Sequence, residues 1–130
     1  MYPPRRSYGV PALTKYYGVT LDCSRPTELA EFYSELTGLK ISYQSDDFAG
    51  LDGNGGPAMG FQKVADYQAP QWPGQSVPQQ FHLDFSAEDL DAAEKWVLEL
   101  GAAKPETQPG GERWRVFLDP AGHPFCISQG

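Results

Sequence analysis

Residues 18–38 of the chain read GVTLDCSRPTELAEFYSELTG. In the first part of this stretch, apolar residues alternate with polar Thr20 and Asp22; the apolar positions are Val19, Leu21 and Cys23. Such alternation is typical of a strand buried on one face, because successive side chains of a strand point to opposite sides. The pattern predicts a strand whose apolar face packs and whose polar face meets a cavity or water.

A helix is predicted directly after this strand. Ser24 offers a capping hydroxyl, and Pro26 suits the first helical turn. Apolar side chains then recur at the spacing of one helical face, at Leu29, Phe32, Tyr33 and Leu36. Because Gly38 is a helix stop signal, the segment is predicted to be an amphipathic helix that ends at this glycine.

The same order returns in residues 82–101, which read HLDFSAEDLDAAEKWVLELG. Polar His82 and Asp84 alternate with the apolar positions Phe81, Leu83 and Phe85. Ser86, followed three residues later by Asp89, approximates a capping box. One helical face then carries Leu90, Ala93, Val97 and Leu100, up to Gly101. A second strand and a second helix are therefore predicted.

Three short extended segments are predicted after each helix. After the first helix they are residues 39–44, 48–51 and 58–64, and after the second they are residues 102–108, 113–118 and 124–128. Turn sequences rich in glycine, proline and aspartate separate several of them. Each half of the chain therefore reads as one strand, one helix and three strands.

The predicted organisation is a single domain over residues 16–130. Residues 1–15 carry three prolines and little periodicity, so we expect an N-terminal arm. Module one covers residues 16–65 and module two covers residues 81–130. Between them, residues 66–80 hold three prolines and five glutamines, a composition that suits a linker.

Composition excludes several classes of protein. The 130 residues carry a formal net charge of −7, with ten basic and seventeen acidic side chains, so the attraction that drives nucleic-acid binding is missing. Apolar stretches fall short of the roughly 20 residues that span a bilayer. Cys23 and Cys126 stand too far apart for a zinc-finger or CxxC motif. We expect a cytoplasmic protein that binds neither nucleic acid nor membrane.

Several motifs resemble the glyoxalase, bleomycin-resistance and extradiol-dioxygenase superfamily, also called vicinal oxygen chelate proteins. The resemblance covers about residues 17–127. It is carried by VTLD at 19–22, FY at 32–33, LTGL at 36–39, FHLD at 81–84, DLDAA at 89–93, LGA at 100–102 and DPAGHPF at 119–125. It implies an α+β fold in which two βαβββ modules form a curved mixed sheet around a concave cavity, with the helices outside. It also implies a homodimer.

Enzymes of this superfamily hold a divalent metal with up to four ligands, drawn from the first and last strands of each module. By resemblance, these positions fall at Gly18, near Gly60, at His82 and at Cys126. The two glycines offer no donor, whereas a catalytic zinc site needs about three protein ligands. No cofactor is predicted, and His82 and Cys126 would be the ligands of any divalent metal that binds.

Three further side chains leave this metal prediction open. Asp22 and Asp84 lie on the polar faces of their strands and would serve as substitute carboxylate ligands. The register of segment 58–64 decides whether Gly60 or Gln62 faces the cavity. Gln62 would add an amide oxygen.

Other residues admit two interpretations. His82 is either a general base held by Asp84 or a hydrogen-bonded wall residue. Cys126 is either a nucleophile or a packing residue. Arg115 shares a strand face with Arg113 and either clamps an anion or pairs with surface carboxylates. His123 is expected to be a surface histidine in a turn.

The preferred hypothesis is a small-molecule binding or sequestering protein that lacks the usual metal ligands. Its predicted ligand-binding residues are Thr20, Asp22, His82, Asp84, Trp114 and Cys126. The alternative is a lyase, isomerase or dioxygenase-type enzyme acting on a small oxygenated metabolite. In that case His82 would be its catalytic base or metal ligand.

Overall fold

The computed structural model describes residues 16–130 of the chain. The arm predicted at residues 1–15 lies outside the described residues. Nine elements follow one another: β1 (Gly18–Cys23), α1 (Pro26–Thr37), β2 (Ile41–Gln44), β3 (Phe48–Leu51), β4 (Ala58–Lys63), β5 (Leu83–Ala87), α2 (Leu90–Leu100), β6 (Trp114–Leu118) and β7 (Pro124–Gln129). The fold is α+β with two modules, as predicted.

Module one forms a four-stranded mixed sheet in the order β1-β4-β3-β2. The pair β1 and β4 is parallel and the others are antiparallel. The predicted alternation of β1 is confirmed, since Leu21 and Cys23 are buried whereas Thr20 and Asp22 are exposed. Helix α1 packs against β2, β3 and β4 of this sheet, and the opposite, open face carries the polar side chains of β1.

Module two forms a three-stranded sheet in the order β5-β7-β6. The prediction of a strand at residues 102–108 is wrong, because this segment forms only an isolated bridge between Ala103 and Leu118. The side chain of Gln108 replaces the strand: its Nε2 donates to the Val116 carbonyl and its Oε1 accepts from the Val116 amide, both at 2.9 Å. One side-chain amide thus satisfies the edge of β6 as a peptide group would.

The two helices begin with N-caps that differ from the predicted ones, whereas both end where they were predicted to end. Helix α1 has Arg25 at its N-cap with no side-chain cap, so the capping role expected of Ser24 is wrong. Helix α2 is capped by Asp89, which accepts from the Ala92 amide at 3.1 Å, while Ser86 belongs to β5. Both helices end at glycines in the left-handed region, as predicted; they are Gly38 (φ 79°) and Gly101 (φ 117°).

One apolar core spans both modules. Tyr33 of α1 stacks on Phe61 of β4, with ring centroids 5.5 Å apart. On its other side α1 contacts module two, where the ring centroids of Phe32 and Phe125 of β7 lie 6.0 Å apart. The two modules therefore share their hydrophobic interior and leave their polar sheet faces outside it.

A buried polar cluster also joins the modules. The Tyr33 hydroxyl donates to Asp119 Oδ2 at 2.6 Å, and Asp119 Oδ1 accepts from the amides of Ala121 and His123. The His123 Nε2 lies 2.6 Å from the backbone oxygen of Asp22 in module one. His123 lies at the predicted turn and is partly exposed, and its side chain also links the two modules.

Candidate functional site

The open face of the module-two sheet brings three predicted residues together. Asp84 of β5 lies directly opposite Cys126 of β7. His82 precedes Asp84 by two residues, so strand alternation places it on the same face. One ligand atom from each residue lies within 4.8 Å of the others, and His82 Nε2 is 3.4 Å from Asp84 Oδ1. We call this group the module-two cluster.

The three side chains of the module-two cluster differ in exposure. The His82 and Asp84 side chains are 43% and 69% exposed, whereas Cys126 is 7% exposed. Burial raises the pKa of the Cys126 thiol, and the nearby Asp84 carboxylate raises it further. A thiol with a raised pKa stays protonated at neutral pH, so the arrangement does not favour the nucleophile interpretation of Cys126.

The open face of module one has glycines where the superfamily would place ligands. A side chain at Gly18 would overlap the backbone oxygen of Ala58. A Cβ at Gly60 would lie 2.7 Å from Phe48 Cζ and 2.9 Å from Thr20 Oγ1. Neighbouring atoms therefore occupy the space that a ligand side chain would need at both positions.

A cavity of about 240 Å³ opens on this face of module one. On its floor, Gly60 of β4 lies between Thr20 of β1 and Gly50 of β3, and Phe48 Cζ and Thr20 Oγ1 lie over Gly60. Its lining residues are Tyr17, Gly18, Val19, Thr20, Ser42, Tyr43, Phe48, Gly50, Leu51, Ala58, Met59 and Gly60. We call this cavity the glycine-floored slot.

Aromatic rings and hydroxyl groups surround the floor of the slot. The rings of Tyr43 and Phe48 are tilted to each other with centroids 6.5 Å apart. The Ser42 hydroxyl donates to the Gly50 carbonyl at 3.2 Å, and the exposed Thr20 hydroxyl lies beside Gly60. The slot thus offers flat apolar surfaces with hydroxyl groups close by.

The two groups of predicted site residues lie on separate sheets. Within residues 16–130, no hydrogen bond or ion pair joins the side chains of Thr20 or Asp22 to the module-two cluster. Asp22 lies opposite Gln62 in the register, so Gln62 shares the open face with Gly60. Trp114 of β6 is half-buried and lies opposite Ser128 of β7. Ser128 is two residues from Cys126, so both lie on the same face of the sheet.

Arg115 pairs with acidic side chains, which is one of the two interpretations that the sequence left open. Its guanidinium lies 2.8 Å from Asp91 and 3.2 Å from Glu94, both on α2. These partners hold the side chain against the helix, on the face of β6 opposite that of Trp114. The pairing interpretation is confirmed for Arg115.

Sequence reasoning missed most residues of the slot, among them Ser42, Tyr43 and Gly50. A glycine inside a predicted strand marks a place where another group approaches the backbone closely. Gly50 and Gly60 both lie in predicted strands, so these two glycines were the signal in the sequence that indicated the slot.

The superfamily's metal centre does not fit this chain. Its two module-one positions, Gly18 and Gly60, supply no donor and no space for one. The imidazole, carboxylate and thiol that lie within 4.8 Å of one another all belong to module two, and Asp22 of module one is not among them. A centre shared between the modules therefore lacks half of its ligands.

Two modules of strand, helix and strands, with polar side chains on the open sheet faces, define a protein of the vicinal oxygen chelate superfamily. The chain belongs to the glyoxalase-like domain family, whose model matches residues 18–128. No curated protein sequence matches the chain significantly. Within residues 16–130, neither helix is long and apolar enough to cross a membrane.

Solved structures of the superfamily share this fold. A possible glyoxalase from Bacillus cereus is 20% identical, with a TM-score of 0.63 over 86% of this chain and 96% of that one. A glyoxalase/bleomycin resistance protein/dioxygenase family enzyme from Burkholderia phytofirmans is 21% identical. Its TM-score is 0.64, over 88% of this chain and 97% of that one. At these identities the likeness shows the fold alone.

A third structure holds ligands. The fosfomycin resistance protein FosX from Listeria monocytogenes is 15% identical, with a TM-score of 0.66 over 91% of this chain and 94% of that one. It was solved with Mn(II) and a dihydroxypropylphosphonic acid. Here too the likeness shows the fold alone.

Proposed function

We propose that this protein binds a small molecule and does so without the metal centre of its superfamily. The glycine-floored slot is the observation that carries the proposal. Side chains that would narrow it are missing at Gly50 and Gly60, and the same absence removes a metal donor at Gly60. Small-molecule sites are concave, with apolar walls and a few polar groups, as this slot is.

The shape of the slot indicates a flat ligand. Phe48 Cζ and Thr20 Oγ1 lie over Gly60, so a ligand ring would pack against the rings of Phe48 and Tyr43 that line the slot. The Thr20 hydroxyl would then bond to a polar group on the ligand. The other predicted contacts are Asp22, His82, Asp84, Trp114 and Cys126. They do not line the slot, and their role in ligand binding stays a prediction.

A direct test uses 7-hydroxycoumarin as a flat aromatic probe and follows its fluorescence during titration. We expect saturable binding that a chelator does not change and that Gly50→Val abolishes, because the added side chain projects onto the slot floor. Gln44→Val is the matched control, since Gln44 is exposed on β2 and does not line the slot. Equal binding by both variants, or binding that requires added metal, would contradict the proposal.

The enzyme alternative rests on the module-two cluster. His82 with Asp84 at 3.4 Å has the arrangement of a base held by a carboxylate. A small oxygenated metabolite would be the substrate. Turnover that disappears in His82→Ala, while the unfolding midpoint stays unchanged, would favour this alternative over binding alone.

Homodimer formation is also part of the proposal. The described chain leaves both polar sheet faces outside its own core, so a second copy has surface available. Sedimentation equilibrium measures the mass directly. A single species with the mass of one chain would contradict the proposed dimer.

A further inference from the structure

We propose that residues 1–15 of this chain bind in an acidic groove between α1 and the C-terminal end of α2. The groove has a volume of about 350 Å³. Its lining residues are Glu28, Glu31, Phe32, Glu35, Leu100, Gly101 and Pro120. We call it the helix groove. The inference goes beyond the proposed function, which concerns the slot on the module-one sheet.

The carboxylates of α1 make the helix groove acidic. This helix carries Glu28, Glu31 and Glu35 and contains no lysine or arginine. Within the part of the chain that the structure describes, Glu31 and Glu35 have no ion-pair partner, and Glu28 pairs only with exposed Arg25, at 3.4 Å. Like charges three and four residues apart on a helix repel each other. A cationic occupant would relieve this repulsion.

The floor of the helix groove is apolar. The ring of Phe32 is buried, Leu100 is half-buried and Pro120 is exposed. Covering such side chains removes apolar surface from water, which favours binding. The groove therefore suits an occupant that offers cations and apolar side chains together.

Residues 1–15 have this composition. They carry the cations Arg5, Arg6 and Lys15, together with apolar Val10 and Leu13, and they contain no acidic residue. All seventeen acidic residues lie in the rest of the chain. The charges of segment and groove are thus complementary. Three prolines in the segment reduce the conformational freedom that binding has to fix.

The segment is long enough to reach the groove of its own chain. Fifteen extended residues span up to about 50 Å, whereas a domain of this size has a radius of gyration of only about 13 Å. Covalent attachment at Tyr16 also gives the segment an effective concentration of about millimolar at the groove. Attachment therefore favours the chain's own segment over that of a second copy.

The experiment attaches a nitroxide spin label to the isotope-labelled full chain through Ser7→Cys and measures which backbone amide signals the label weakens. Both native cysteines are buried, so the label attaches at position 7. We expect the amides of Glu31, Glu35 and Leu100 to lose signal. The signals should recover in about 1 M salt, where the screening length falls to about 3 Å.

Reversal of charge in the groove tests the site itself. Glu31→Lys combined with Glu35→Lys, the groove variant, should restore the amide signal of Leu100, because its new cations repel the segment. Asp46→Lys combined with Asp47→Lys is the matched control. It changes the net charge equally at two exposed residues that do not line the groove, so the signal loss should persist.

Reversal of charge in the segment tests the pairing. Arg5→Glu and Arg6→Glu, added to the groove variant, restore complementary charges and should bring the signal loss back. A spin-labelled chain with no signal loss at the groove, or equal recovery in the groove and control variants, would overturn the proposal.

A mixed sample identifies the chain that supplies the segment. It combines spin-labelled chains that lack the isotope with isotope-labelled chains that lack the spin label. We expect no signal loss in this mixture. A loss as strong as in the doubly labelled chain would overturn the proposal and assign the groove to a second copy. The groove variant should still bind 7-hydroxycoumarin, so failure of either proposal is recognised separately.

Discussion

Gly18 and Gly60 show how two missing side chains shape the function of a whole sheet. Gly18 approaches the backbone of Ala58 too closely for any side chain, and Phe48 and Thr20 cover the space above Gly60. Restoring a metal ligand by substitution would therefore disturb the pairing of β1 with β4. The packing of this sheet therefore leaves no room for metal-ligating side chains at Gly18 and Gly60.

We predict that Gly18→Ala destabilises the fold by about 1–3 kcal/mol, the cost of forcing a group into filled space. Urea unfolding followed by circular dichroism measures this free energy. Gly50→Ala is the control, because the nearest atoms to its new Cβ would be 3.6 Å away, an ordinary contact. Equal unfolding midpoints for the two variants would show that β1 and β4 separate easily at Gly18.

At the scale of the elements, the two helices begin in different ways. Helix α2 has a side-chain cap at Asp89. Helix α1 begins at Pro26 after the N-cap Arg25, whose side chain donates to the exposed Glu28 at 3.4 Å and does not cap the helix. Since the Arg25 side chain offers no acceptor to the first amides of α1, this helix depends more on its packing against both modules. The stability of α2 should depend more on its cap.

We predict that Asp89→Ala costs about 0.5–2 kcal/mol, because the Ala92 amide loses its acceptor. Thermal or urea unfolding measures the change. Arg25→Ala is the matched control at the other N-cap and should leave the unfolding midpoint close to that of the wild type. A smaller loss for Asp89→Ala than for Arg25→Ala would refute this account of the two helix starts.

At the scale of the whole molecule, Tyr33 and Asp119 connect module one to module two. Burial raises the pKa of the Asp119 carboxyl, although the hydrogen bond from Tyr33 works in the opposite direction. The folded protein therefore keeps a proton on Asp119 at pH values where the unfolded chain, with an ordinary pKa of about 3.9, has released it. Stability from this group is present below about pH 3.9 and is lost as the pH rises through the raised pKa.

We predict that the free energy of unfolding falls with rising pH above about 4 in the wild type relative to Asp119→Asn, which cannot titrate. Urea unfolding of both proteins across a pH series gives the difference. Tyr33→Phe should raise the pKa of Asp119 further and so extend the fall to higher pH. Parallel curves for wild type and Asp119→Asn would mean that burial does not shift this carboxyl.

Much of the fold was predictable because its signals are local. The alternation of Thr20 and Asp22 with apolar neighbours predicted the faces of β1, and the glycines after each apolar stripe predicted the ends of α1 and α2. The strand predicted at residues 102–108 does not form, because the side chain of Gln108 satisfies the edge of β6 instead, which periodicity does not report. Likewise, turn composition did not indicate that His123 contacts module one.

The sequence by itself determined the α+β order of elements and the polar faces of the strands, because each follows from neighbouring residues. Only the tertiary structure decided which distant side chains meet. Pairing of β5 with β7 sets Asp84 opposite Cys126, and pairing of three strands assembles the slot. Register between strands far apart in the chain depends on packing of the common core, and no local pattern encodes it.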